Sequence, residues 1–95
     1  MKQYYLYILA SRRQGVLYIG STTDLIRRVF EHKSNAVDGF TKRYGVHQLV
    51  YYEIGHTLES VRYRELQMKK WMRQWKIDLI EKDNKEWRDL YYELI

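Results

Sequence analysis

Tyr18-Ile19-Gly20 closes a short apolar run, and the periodic stretch Asp24 to Lys33 follows at once. Within it Arg28 and His32 stand one helical turn apart on the same side. A phenol, a guanidinium and an imidazole at one strand-to-helix corner suit chemistry on a phosphate. Farther along, Leu58, Val61, Glu65, Met68, Met72 and Trp75 follow i, i+3, i+4 steps, so one carboxylate interrupts an apolar stripe. Burying an unpaired carboxylate is costly. Glu65 should therefore pair with a basic residue such as Arg28, hold a metal ion, or sit at a cleft mouth.

Strands and helices must bring these residues together. Tyr4 to Ala10 is rich in tyrosine and branched residues and reads as a strand, apolar on both faces and so central or covered on both sides. A polar loop, Ser11 to Gly15, leads to a second strand over Val16 to Gly20, and the short spacing predicts an antiparallel hairpin. Tyr7 and Tyr18 would then be neighbours, each in the middle of its strand. Gly20 serves either turn geometry or the close approach of another group. Ser21-Thr22-Thr23-Asp24 offers helix caps, either threonine being suitable. The first helix, to Lys33, turns Leu25, Val29 and His32 inward, with Ile26 and Phe30 widening the stripe. A histidine on an apolar edge is usually a satisfied core residue; Arg28 one turn away marks this one out.

Phe40 to Tyr44 can form one helical turn closed by Gly45, and Leu49 to Ile54 is a third strand. Thr57 caps a long helix expected from Leu58 to about Trp75, with Lys76 to Lys82 continuing it as helix or as a bent extension and Asp83-Asn84 ending it. A last short helix, Lys85 to Glu93, would pack Trp87, Leu90, Tyr91 and Leu94. The reading is an α+β domain with a three-stranded antiparallel sheet flanked by helices, in the order β-β-α-β-α-α.

Composition sets limits. Ninety-five residues make one domain, spanning 1–95, and 45% hydrophobic with 16% aromatic residues is enough for a core. No cysteine is present, which excludes disulfides and thiolate metal sites. No apolar run approaches the ~18 residues of a membrane span, and no leader pattern opens the chain, so no membrane partner and a cytoplasmic location are expected. The net charge of +5 is uneven: residues 1–47 carry eight Lys/Arg against three Asp/Glu, while residues 48–95 carry nine of each. Arg62 to Lys76 holds six basic residues around the single acid Glu65, including Arg62, Lys69, Lys70 and Arg73. Such a face is either solvated or turned to a polyanion.

In these residues the chain resembles the GIY-YIG endonuclease domain, and within it the small single-domain bacterial branch of YhbQ-like, UPF0213-type proteins. Tyr18-Ile19-Gly20 is that family's second motif intact, and Tyr5-Leu6-Tyr7 stands for the first, with Tyr7 eleven residues before Tyr18. Arg28 and His32 fall in its Arg-x-x-x-His pattern, Glu65 on its metal-binding glutamate, and Asn84 on its late asparagine. The first motif lacks its glycine and isoleucine, and Lys85 replaces the proline after the asparagine. No departure removes a catalytic side chain.

The resemblance implies a DNA endonuclease using one divalent cation, Mg²⁺ or Mn²⁺, held at Glu65 mostly through water. Arg28 would stabilise the charged phosphate, while Tyr7, Tyr18 and His32 orient and deprotonate water. Tyr7 relayed by His32 is the preferred base, Tyr18 the alternative, and either needs a cation to lower a phenol pKa near ~10. Gly20 and Asn84 would support the site. Lys42, Arg62, Lys69, Lys70 and Arg73 would hold the DNA backbone irrespective of sequence. With no appended reading domain, the substrate would be recognised by structure (branched, flapped or nicked) or through a targeting protein partner. Two other readings compete: a nucleic-acid-binding module with negligible nuclease activity, and an interaction domain using Trp87, Tyr91 and Tyr92.

Overall fold

The computed structural model describes residues 3–37 and 39–95. Elements follow in the order β1 (Tyr4–Ala10), β2 (Leu17–Thr22), α1 (Leu25–Lys33), α2 (Phe40–Tyr44), β3 (Gln48–Gly55), α3 (Leu58–Lys69), α4 (Arg73–Asp83) and α5 (Tyr91–Leu94). The sheet is antiparallel, ordered β2-β1-β3, so β1 is the central strand that its two apolar faces require. The α+β reading holds.

Period-2 alternation divides β1 between two cores. Leu6, Ile8 and Ala10 pack with Ile19, Val50, Val61, Met68, Ile77 and Ile80 under α3 and α4. Tyr7 and Leu9 pack with Leu25, Val29, Leu49 and Tyr91 under α1 and α5. No helix among the described residues is long and apolar enough to cross a membrane.

Several boundaries differ from expectation. β2 begins one residue later and runs through Thr22, which sets Tyr7 opposite Gly20 and Tyr18 opposite Leu9. The cap of α1 is Asp24, whose carboxylate accepts the Arg27 N–H at 3.2 Å, rather than a threonine. Thr22 instead accepts the Asp24 N–H at 3.0 Å. Ile26 and Phe30 are exposed, because only the narrow Leu25–Val29–His32 stripe of α1 meets the sheet.

The long helix is broken. Its chain turns at Lys70–Met72, so α3 sends Val61 and Met68, and α4 sends Ile77 and Ile80, into one core that a straight helix could not reach twice. Met72 and Trp75 are left outside. The last helix shrinks to Tyr91–Leu94, and the loop before it buries Trp87 at a left-handed φ of 58°. Two anchors hold this strain: the Trp87 indole N–H donates to Glu81 at 2.7 Å, and the Trp87 backbone N–H to the Asn84 carbonyl at 3.0 Å. An interaction surface of Trp87, Tyr91 and Tyr92 is therefore not formed, since the first two are buried.

Candidate nucleic-acid site at the strand-to-helix corner

Tyr7 points from β1 to the α1 side, and its hydroxyl lies 3.2 Å from His32 Nε2. The other ring nitrogen of His32, Nδ1, is 2.8 Å from the Thr41 hydroxyl on α2. All three residues are buried, which makes a hydrogen-bonded chain Tyr7–His32–Thr41 from the central strand through α1 to α2. The Tyr18 ring stands 6.3 Å from that of Tyr7 and 5.5 Å from His32. Tyr7, Tyr18 and His32 are thus brought together on one face of the sheet.

Gly20 is there for close approach. A Cβ on it would meet Tyr7 Oη at 2.5 Å and Cζ at 2.6 Å, so the Tyr7 phenol lies where any side chain would stand. Its backbone does not adopt a positive φ, so turn geometry does not demand glycine.

Burial pushes the Tyr7 phenol above its ordinary range; the Tyr18 hydroxyl adds to this, Arg28 opposes it, and Glu65 and Glu31 raise it again. The nearby Arg28 cation pulls the phenol down, but burial outweighs it. The His32 imidazole moves the other way, lowered from 6.5 first by burial and then by Arg28, with Glu31 opposing. Both groups are held neutral.

Arg28 is half-exposed, and among the described residues its guanidinium makes a loose ionic contact with Glu31 at 3.7 Å. It lines a polar cavity of about 190 Å³ with Thr22, Thr23, Asp24 and Arg27. Glu65 reaches the corner from the opposite side of the sheet. Its carboxylate accepts the Ser21 hydroxyl at 2.6 Å and pairs with Lys69 at 2.7 Å, not with Arg28. Ser21 follows Gly20 and faces the α3 side, so the glycine is flanked by the two halves of the site.

The remaining basic residues separate by role. Lys42, Arg62 and Lys70 are exposed. Lys69 is occupied by Glu65, and the Arg73 guanidinium donates to the carbonyls of Gln14 and Gly15, both at 2.6 Å, bracing the β1–β2 loop. Asn84 stands apart from the corner: its amide donates to the carbonyls of Val50 and Arg88 at 3.0 and 2.9 Å, and its oxygen accepts the Arg88 N–H at 2.9 Å. It ties the end of α4 to β3.

A family model of the GIY-YIG catalytic domain matches residues 3–78. The chain belongs to the GIY-YIG catalytic-domain family. Within it, the chain is 34% identical over 80 residues to a UPF0213 protein of Staphylococcus saprophyticus, covering 84% of this chain and 96% of that one. The solution NMR structure of a UPF0213 protein from Bacillus halodurans is similar in fold, with a TM-score of 0.56, 28% identity and 92% of each chain covered. The small antiparallel sheet flanked by helices is a GIY-YIG architecture, consistent with interaction with nucleic acid.

Does a GIY-YIG metal fit these residues? Among the described residues no group of three His, Cys, Asp or Glu converges. A lone carboxylate does not suit zinc, but a hard cation that keeps its waters and shares phosphate oxygens can use one. Both Glu65 oxygens are engaged, so Lys69 must yield one of them. What these residues offer a hard cation is one carboxylate oxygen, once Lys69 releases it.

Sequence reasoning passed over Ser21 and Thr41 as site residues. Strand alternation signalled Ser21, which stands two positions from Ile19 on the face turned to α3. Nothing local signalled Thr41, because only the packing of α2 on α1 brings it to His32.

Proposed function

We propose that this GIY-YIG domain binds nucleic acid along its basic face and hydrolyses a phosphodiester at the Tyr7–Tyr18–Arg28–His32 corner, with DNA the expected substrate. The observation that carries this reading is the buried chain Tyr7–His32–Thr41 beside an under-committed guanidinium. In the productive tautomer Thr41 accepts the Nδ1 hydrogen of His32, leaving Nε2 to accept from Tyr7. A water attacking phosphorus gives its proton to Tyr7 Oη as the phenol passes its own to Nε2. The bond from phosphorus to the leaving oxygen breaks as the new one forms. A neutral imidazole is the right acceptor, and burial supplies it. Arg28 offers two donors to the phosphate oxygens as charge accumulates. Glu65, released by Lys69, would hold Mg²⁺ or Mn²⁺, which when bound supplies further neutralisation of that charge. Arg62, Lys70 and Lys42 hold the backbone, a contact indifferent to sequence.

A second reading rests on the occupied Glu65. If Ser21 and Lys69 keep the carboxylate, the domain binds nucleic acid without cutting it. Supercoiled plasmid with Mn²⁺ or Mg²⁺ separates the two. Nicking by the wild type but not by Glu65→Ala supports hydrolysis. Equal gel retardation by both proteins at low salt, with no cleavage by either, leaves the binding module as the function.

A further inference from the structure

α2 is a single helical turn with two sides. Thr41 is buried against His32, while Phe40 and Tyr44, four residues apart, turn outward at 44% and 47% exposure. Their rings lie side by side with centroids 4.8 Å apart. Phe40 also stacks on Tyr18 at 6.1 Å and 30°, and Tyr18 lies 5.5 Å from His32. A row of rings, each tilted by 30° to 55° to the next, therefore runs from the buried histidine out to solvent. Arg43 sits 5.4 Å over Tyr44 at its outer end. Beside the row, Tyr18 and Phe40 share a cavity of about 290 Å³ with Lys69 and Lys76.

Two exposed aromatics contribute little to a core, and leaving them in water gains nothing. Aromatic faces flanked by ammonium and guanidinium groups match a nucleotide, whose base offers a π face and whose backbone offers anions. Within a duplex both faces of each base are covered by its neighbours, so only an unpaired base can lie on such a shelf. We propose that Phe40 and Tyr44, with Lys76 beside them, form a stacking site for an unpaired base next to the phosphodiester at Arg28. The substrate class would then be single-stranded, bulged or frayed nucleic acid. This rests on the function proposed above and specifies its substrate.

The test uses a short oligodeoxynucleotide carrying 2-aminopurine, with divalent cations chelated so that nothing is cut. It is offered as a single strand, as a perfect duplex and as a duplex with the probe in a one-base bulge. The expected result is fluorescence quenching for the strand and the bulge but not for the duplex. Phe40→Leu with Tyr44→Leu should weaken strand binding about 5- to 150-fold, the range for loss of one stacked base, whereas Phe40→Trp should retain it. Unchanged far-UV circular dichroism checks that the variants fold. A ribonucleotide strand distinguishes the two sources of an unpaired base, and quenching with either supports the shelf. Equal binding of strand and duplex, unaffected by the leucine variants, overturns the shelf but leaves the proposed function standing. No binding of any form at low salt overturns both.

Discussion

The two faces of the sheet each carry a tyrosine whose phenol burial pushes above its ordinary range, and they are put to different uses. Tyr7, on the α1 face, meets a neutral histidine, with Arg28 close by and loosely held at 3.7 Å from Glu31. Tyr51, on the α3 face, donates to Glu53, and Arg64 closes on the same carboxylate at 2.8 Å while resting over the Trp71 ring. Burial is the largest cause of both shifts. A perturbed phenol is thus no sign of chemistry by itself. What distinguishes the pair is the partner: a proton acceptor with a further hydrogen-bond partner on one face, a saturated ion pair on the other.

The arginines offer the largest contrast. Arg28→Ala should lower phosphodiester cleavage about 10²- to 10³-fold, the usual loss for one donor to a developing anion, with the denaturant midpoint nearly unchanged because its side chain is half-exposed. Arg64→Ala should do the reverse. It should leave cleavage intact and cost about 1–2 kcal/mol, a charge-assisted bond discounted for partial exposure. Cleavage assays and urea titrations on the same preparations check both, and a cleavage defect in Arg64→Ala would merge the two faces into one site.

Gly20→Ala is the next largest. Tyr7 is buried and cannot move aside, so a Cβ 2.5 Å from its hydroxyl should cost about 1–3 kcal/mol. It should also part Tyr7 from His32, lowering cleavage at retained nucleic-acid binding. A neutral outcome in thermal melts would mean that the tyrosine is not fixed.

The smallest effect is on pH dependence. Because the folded protein depresses the His32 pKa, the unfolded chain takes up the proton first as pH falls below 6.5, and stability declines from there. Tyr7 acts at the other end. Its raised pKa means that the unfolded chain loses its proton first above 10.0, so stability declines again. Urea midpoints across pH should show the acid arm flattened in His32→Gln and the alkaline arm reduced in both Tyr7→Phe and Tyr51→Phe.

Much of the corner was legible in the sequence because its signals are local. Tyrosine and branched residues without a breaker placed Tyr4–Ala10, helical spacing placed Leu25, Val29 and His32 inward, and Gly45, at a left-handed φ of 63°, closes α2 as expected. The carboxylate out of place in an apolar stripe pointed to Glu65. The break between α3 and α4 was not legible: no glycine or proline marks Lys70–Met72, and only the shared core beneath Met68 and Ile77 demands the turn. Thr41 and the Lys69 pairing were hidden for a related reason. Thr41 depends on the docking of α2, and Lys69 lay on a helix face that a polyanion could equally have occupied.

The most direct test of the central claim is a cleavage time course of plasmid and of single-stranded oligonucleotide with Mn²⁺, comparing wild type, Tyr7→Phe and Tyr51→Phe. Cleavage reduced by at least about 10²-fold in Tyr7→Phe, with Tyr51→Phe close to wild type, is the predicted result. Cleavage by Tyr7→Phe at the wild-type rate would contradict the proton path from Tyr7 to His32.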